Sequence, residues 1–194
     1  MFLLGTGAIV GIIIAVVVIL VIILVINAYN TLVQLRNKVR NQLSQVDVQL
    51  KKRFDLIPNL VETAKGYAAH EEGIYGEFAK ARGLYAQASQ AGDVEKMAEA
   101  DKGLSGAISR LLMVQERYPE LKADAHFTEI MTQLKDCEKT ISTSRQFYND
   151  IVQKYNNKIE MFPSSIIAKM FHFELAKFFT ITNEAEREAP KVKF

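Results

Sequence analysis

Residues 8–26 form an unbroken run of Ala, Ile, Val, Leu and a single Gly, and this run limits what the rest of the chain can be. At about 1.5 Å per helical residue, its 19 residues match the roughly 30 Å hydrocarbon core of a bilayer. No Lys, Arg, Asp or Glu precedes Arg36, so all 24 basic and 22 acidic residues lie from there onward. The near-neutral net charge of +2 therefore averages two different materials. A secretory leader would show a basic start, a shorter apolar stretch and a small-residue cleavage site, none of which is present. An uncleaved transmembrane anchor is the expectation. A pilin-type leader is disfavoured because no basic leader precedes the run and no acidic residue stands near its start.

Arg36, Lys38 and Arg40 follow the apolar run, and cytoplasmic flanks are enriched in such residues. The expected topology is single-pass, with the N-terminus outside and the following domain in the cytoplasm. The same three residues lie close enough to the bilayer to meet anionic lipid, where each charge contributes ~1 kcal/mol within about a Debye length. Lys51, Lys52 and Arg53 stand roughly 35 Å above the interface on a rising helix; a solvated face or inter-helix pairing is the better reading for them.

Beyond the anchor the apolar positions keep helical time. Leu32, Leu35, Val39, Leu43, Val46, Leu50, Phe54, Ile57 and Val61 recur at spacings of three and four, an eleven-residue repeat. No glycine falls between Gly11 and Gly66, so the anchor is expected to run into the following domain as one helix. Pro58 predicts a kink over residues 55–58, with the stripe resuming in phase at Val61. Gly66, Gly73, Gly76 and Gly83 mark a weaker distal part, and Gly92-Asp93 reads as a turn that ends one helix and caps the next.

A second stripe comprises Val94, Met97, Leu104, Ile108 and Leu111 and ends near Tyr118-Pro119. A third helix from about Asp124 shows Phe127, Ile130, Leu134, Cys137, Ile141, Tyr148, Ile151 and Tyr155, close to a heptad repeat. No stretch alternates with period two. The predicted fold is all-α: a single N-terminal transmembrane helix continuous with a long helical hairpin or a three- to four-helix bundle. The expected divisions are 1–28, an outer N-terminus and anchor; 29–162, the helical domain; and 163–194, an aromatic-rich C-terminal segment.

Three constellations suggest contacts rather than chemistry. Gly7, Gly11 and Ala15 recur every fourth residue, a small-residue face that lets transmembrane helices approach closely. Ile167, Phe171, Leu175 and Phe178 form one helical stripe near the C-terminus. Phe173 and Phe179 fall outside it, so Phe171, Phe173, Phe178 and Phe179 are candidates for membrane or partner contact, with a plain packing helix as the alternative. Catalytic patterns are missing: His70, His126 and His172 are scattered, no second histidine completes a zinc-binding helix, and there is no phosphate loop or nucleophile elbow. The lone Cys137 reads as small apolar filler. No enzyme, cofactor, small-molecule substrate or nucleic-acid partner is expected.

The runs Tyr29-Asn30-Thr31-Leu32-Val33, Leu35-Arg36-Asn37 and Asp47-Val48-Gln49-Leu50-Lys51-Lys52-Arg53-Phe54-Asp55-Leu56-Ile57-Pro58-Asn59-Leu60-Val61-Glu62 resemble the signature of the LemA family. Tyr118-Pro119-Glu120-Leu121-Lys122-Ala123, Arg145-Gln146-Phe147-Tyr148-Asn149-Asp150, Tyr155-Asn156 and Phe162-Pro163-Ser164 are similar to its later blocks, in the same order. The resemblance implies an N-terminal transmembrane helix, a short outward N-terminus, a helical bundle, no enzyme activity and a bacterial inner or plasma membrane. It also implies shared polar positions at Asn30, Asn37, Asp47, Arg53, Asp55, Arg145, Tyr148 and Asn149, read here as pairing groups between helices. Family members include magnetosome-membrane relatives, and some are encoded beside membrane proteases. The leading expectation is a non-enzymatic scaffold that self-associates as a homo-oligomer and organises or remodels the bilayer. The rival is an adaptor or sensor that docks on another membrane protein, such as a protease.

Overall fold

The computed structural model of the chain describes residues 6–180, and among these every regular element is a helix. Seven follow in order: α1 (Thr6–Asp55), α2 (Ile57–Tyr67), α3 (Glu72–Ala91), α4 (Val94–Gln115), α5 (Pro119–Ala123), α6 (Ala125–Glu160) and α7 (Ser164–Met170). The first, of 50 residues, runs unbroken from the apolar stretch into the charged sequence, as the lack of Gly and Pro between Gly11 and its end dictates.

Local chemistry sets each boundary. Pro58 lies in the first turn of α2, where its missing N–H is unneeded; the helix path breaks at Leu56. The break also shifts the stripe by one residue, which corrects the expected phase. Leu60, Ala64 and Ala68 carry the buried face, and Val61 is only half-buried. The path expected to continue towards residue 90 is interrupted again between Tyr67 and Glu72. Gly92 ends α3 in the left-handed conformation, φ +65°, which glycine adopts without a Cβ penalty. Asp93 then caps α4 by accepting from the Lys96 amide at 3.2 Å, and Asp124 caps α6 by accepting from the Phe127 amide at 2.8 Å. These hydrogen bonds hold both carboxyls below their ordinary range.

The chain forms two compact units, and α1 and α6 contribute to both. Unit 2 comprises Gln42–Asn149 together with the chain from Lys177. It is a helical bundle in which the end of α1, then α3, α4 and α6 surround a core that includes Phe54, Phe78, Met97, Leu104, Leu111, Leu134 and Ile141. α3 and α4 pack along one another as an antiparallel pair closed at Gly92. The ring of Phe54 on α1 lies flat on Tyr85 of α3, with centroids 4.4 Å apart and planes 7° apart. In α6 the buried hydrophobic positions are Phe127, Met131, Leu134, Cys137, Ile141, Tyr148, Val152 and Tyr155; Met131 and Val152 take the places expected of Ile130 and Ile151, which are half-buried.

Unit 1 comprises the chain to Asn41 and Asp150–Ala176. Leu32 and Val39 of α1, Val152 and Tyr155 of α6, and Ile167 and Ala168 of α7 are its buried apolar groups. The expectation of a helical stripe through Phe178 is corrected here. α7 ends at Met170, and the following residues to Thr180 form no regular element. His172 adopts φ 54°, and the Phe173 amide reaches back to the Ala168 carbonyl at 2.9 Å, a reversal that stops the helix. Downstream, side-chain amides replace helical hydrogen bonds. Within unit 1, Asn156 both donates to the Ala176 carbonyl and accepts from its amide, each at 2.9 Å.

The glycines of α3 remain a soft point. A Cβ placed at Gly83 meets nothing within 4 Å, and its φ is not in the left-handed region. Gly83→Ala is therefore expected to stabilise unit 2 by about 1 kcal/mol, since the substitution removes only backbone freedom from the unfolded chain. A higher midpoint in urea denaturation, with an unchanged slope, checks this.

Candidate functional site

The long stripes of unit 2 contain three charged residues on their buried face. Arg53 precedes Phe54 on α1; Asp101 occupies the gap between Met97 and Leu104 on α4; Arg145 fills the gap between Ile141 and Tyr148 on α6. Asp101 is fully buried, at 0% exposure. Its Oδ1 meets Arg53 Nη1 at 2.5 Å and its Oδ2 meets Arg145 Nη2 at 3.2 Å. Glu138, on α6, closes the circuit: Oε2 lies 2.7 Å from Arg53 Nη2, and Oε1 lies 3.3 Å from Arg145 Nη2. Arg53 Nη2 also donates to Ser105 Oγ at 3.1 Å.

The result is a closed ring of two guanidiniums and two carboxylates, alternating in sign. Two of its four links, Asp101 Oδ2 with Arg145 and Glu138 Oε2 with Arg53, are charge contacts without hydrogen-bond alignment. Burial pushes the Asp101 carboxyl upwards; Arg53 and Arg145 oppose that rise, and the neighbouring Glu138 adds to it. A groove of about 560 Å³, lined in part by Ser105, Ser109, Met131 and Leu134, opens beside Arg53 and Glu138. The ring ties α1, α4 and α6 together, and its balanced charge suits a lock between helices.

The other expected pairing residues divide. Asp47 is an inter-helix acceptor: Tyr85 donates to its carbonyl at 3.1 Å and its carboxylate at 2.9 Å, and Ser89 Oγ lies 3.1 Å from the second carboxylate oxygen. Burial, followed by the hydrogen bond to Asp47, raises the Tyr85 hydroxyl above its ordinary range. Asp55 departs from the expectation, because its carboxylate pairs with Lys51 one turn earlier on the same helix, at 2.9 Å on an exposed face. Tyr148 and Asn149 hold the C-terminal segment instead of another helix. Tyr148 donates to the Lys177 carbonyl at 2.8 Å, and Asn149 holds Phe179 through both its amide and its carbonyl, at 2.8 and 3.1 Å. Burial pushes the Tyr148 hydroxyl up to about 12.

On α1, Gly7, Gly11 and Ala15 are exposed. From Ile9 to Ile26 the large apolar side chains are 46–61% exposed, with Val25 alone half-buried, so the described residues leave this helix bare. It is long and apolar enough to cross a membrane. Further along, Arg36 is half-buried with its guanidinium 5.0 Å from the centre of the Phe173 ring, while Lys38 and Arg40 are exposed. The four expected contact phenylalanines also divide. Phe173 and Phe179 are buried, the latter beneath Arg145 at 5.5 Å, whereas Phe171 and Phe178 keep exposed faces.

The LemA family model matches residues 42–194. Magnetosome protein MamQ 2 of Paramagnetospirillum magneticum is 26% identical, the match covering 78% of this chain and 64% of that protein. Magnetosome protein MamQ of Magnetospirillum gryphiswaldense is 24% identical with the same coverage. Protein LemA of Metamycoplasma hominis is 25% identical over 72% of this chain and 63% of its own length. The chain thus spans just under two thirds of the length of these relatives.

Proposed function

The chain belongs to the LemA family, and from that premise we propose that it is a non-enzymatic, single-pass membrane scaffold that self-associates to organise or remodel the bilayer. The observation that carries this reading is the bare apolar surface of α1 from Ile9 to Ile26, which nothing else among the described residues covers. A helix apolar all round needs lipid or other helices as its solvent. Gly7, Gly11 and Ala15 supply the face through which copies approach, where small side chains allow close van der Waals contact. Lys38 and Arg40, with Arg36, set the N-terminus outside and the bundle in the cytoplasm of a bacterial inner or plasma membrane. The similarity to proteins named for the magnetosome supports a role in membrane organisation.

The test is the assembly state of the full chain in native membranes and in detergent. Scaffolding expects crosslinked ladders of the chain with itself, and sedimentation above the monomer that weakens when Gly11 is replaced by Leu. A monomer at every concentration removes the scaffold. A single stoichiometric membrane-protein partner in crosslinked membranes would assign the chain to the adaptor class instead.

A further inference from the structure

Unit 1 exposes a second apolar surface besides the anchor. Where α6 ends, Met161 and Phe162 project outward, Phe162 at 80% exposure, and Ile166, Met170 and Phe171 follow on α7 and its end. Five large apolar groups open to solvent within eleven residues is far more than scattered surface hydrophobics explain. α7 is apolar on two sides. Ile167 and Ala168 face the protein, whereas Ile166 and Met170, one turn apart, face away from it.

The contacts of Phe171 and Phe173 fix the end of this segment along α1. Phe171 packs on Tyr29 with ring centroids 4.8 Å apart, and Phe173 meets the same ring edge-on at 5.8 Å. Tyr29 stands three residues beyond Ile26, about 4–5 Å along the helix from the end of the apolar run. Cover on α1 begins at Val25, inside the run's last turn; Leu24 is 61% exposed, and Leu32 is fully buried. The end of α7, with the exposed face of Phe171, therefore sits level with the point where α1 leaves the hydrocarbon, and the rest of the open surface lies within ten residues of it in sequence. A tyrosine at that level suits an interfacial aromatic, and Lys169, exposed on α7, can extend its charge away from the acyl chains.

We propose that the α6–α7 turn and the outer face of α7 form a foot that inserts into the interfacial layer of the leaflet from which α1 emerges. The occupant is the lipid of that same membrane, because the surface is continuous with the anchor through Tyr29. The inference rests on the reading of α1 as a transmembrane helix. It gives the protein two attachments to one leaflet, and the foot wedges among the headgroups beside the anchor. Such a wedge supplies a physical means of bending or thinning the bilayer.

The chain has no tryptophan, so a single introduced indole reports its own depth. The full chain carrying Phe162→Trp is reconstituted in phosphatidylcholine vesicles and in vesicles of the same lipid brominated high on the acyl chain. Leu20→Trp reports the anchor separately, and Ile166→Trp reads the same foot from the next turn should Phe162→Trp disturb the fold. The foot expects blue-shifted emission that loses about half its intensity in the brominated vesicles, as for a side chain roughly 5–10 Å into the interface. Emission characteristic of water, unquenched while Leu20→Trp is quenched, overturns the foot and leaves the anchor standing. Blue-shifted emission that bromine does not quench overturns it in favour of a protein covering this face. If Leu20→Trp itself escapes quenching, the anchor fails and the foot with it.

Discussion

Asp101→Ala is expected to lower the unfolding free energy by about 3–5 kcal/mol, the largest effect of any single polar substitution in the bundle. The loss is not the worth of one salt bridge. Removing the carboxylate leaves Arg53 and Arg145 buried with only Glu138, partly exposed, between them. Two guanidiniums of like sign then share a site with little access to water, and the desolvation of each is no longer offset. Asp101→Asn should cost less, because its carbonyl oxygen still accepts from Arg53 while the formal charge is lost. Replacing the three buried members together, Arg53→Met with Asp101→Leu and Arg145→Met, should recover much of the loss, since an apolar set of similar volume carries no unpaired charge. Urea denaturation of the full chain in detergent, followed by far-ultraviolet circular dichroism, measures all three. An Asp101→Ala protein as stable as the parent would show that the ring contributes nothing to holding α1, α4 and α6 together.

That ring marks where sequence reading stopped short. Periodicity revealed the helices because burial selects one face per 3.6 residues, and the Gly92-Asp93 turn followed from the only backbone that a left-handed residue and a capping carboxylate permit. Asp101 is hidden because apolar periodicity passes over a carboxylate. Yet the pattern held its trace: Met97 to Leu104 and Ile141 to Tyr148 are double-length steps, and Asp101 and Arg145 occupy the skipped positions at spacings of four and three. Opposite charges at two such gaps are a readable sign of a buried pair. Glu138 carried no comparable signal, since it lies beside Cys137 just off the stripe. The C-terminal segment is illegible for another reason. Its apolar spacing fits a helix as far as Phe178, but Asn149 and Asn156 satisfy its backbone from α6, and no local rule reveals hydrogen bonds made across twenty or thirty residues.

Phe54→Ala should destabilise unit 2 by about 3–5 kcal/mol, the range for emptying an aromatic site that cannot collapse. Phe54 is 1% exposed and lies flat on Tyr85, whose hydroxyl is fixed by Asp47. The ring therefore couples the end of α1 to α3 through packing on one side and a polar tether on the other. The loss should fall unevenly. α3 carries Gly73, Gly76 and Gly83, so its own helical tendency is weak, and it depends on contacts with α1 and α4 to stay formed. α1, α4 and α6 keep the charged ring, whose four side chains pair with one another. Hydrogen exchange should then show amides of α3 opening well before those of α6, with Gly83→Ala restoring part of their protection. Uniform loss of protection across all helices would mean that the bundle melts as one cooperative body, with α3 no more detachable than its neighbours.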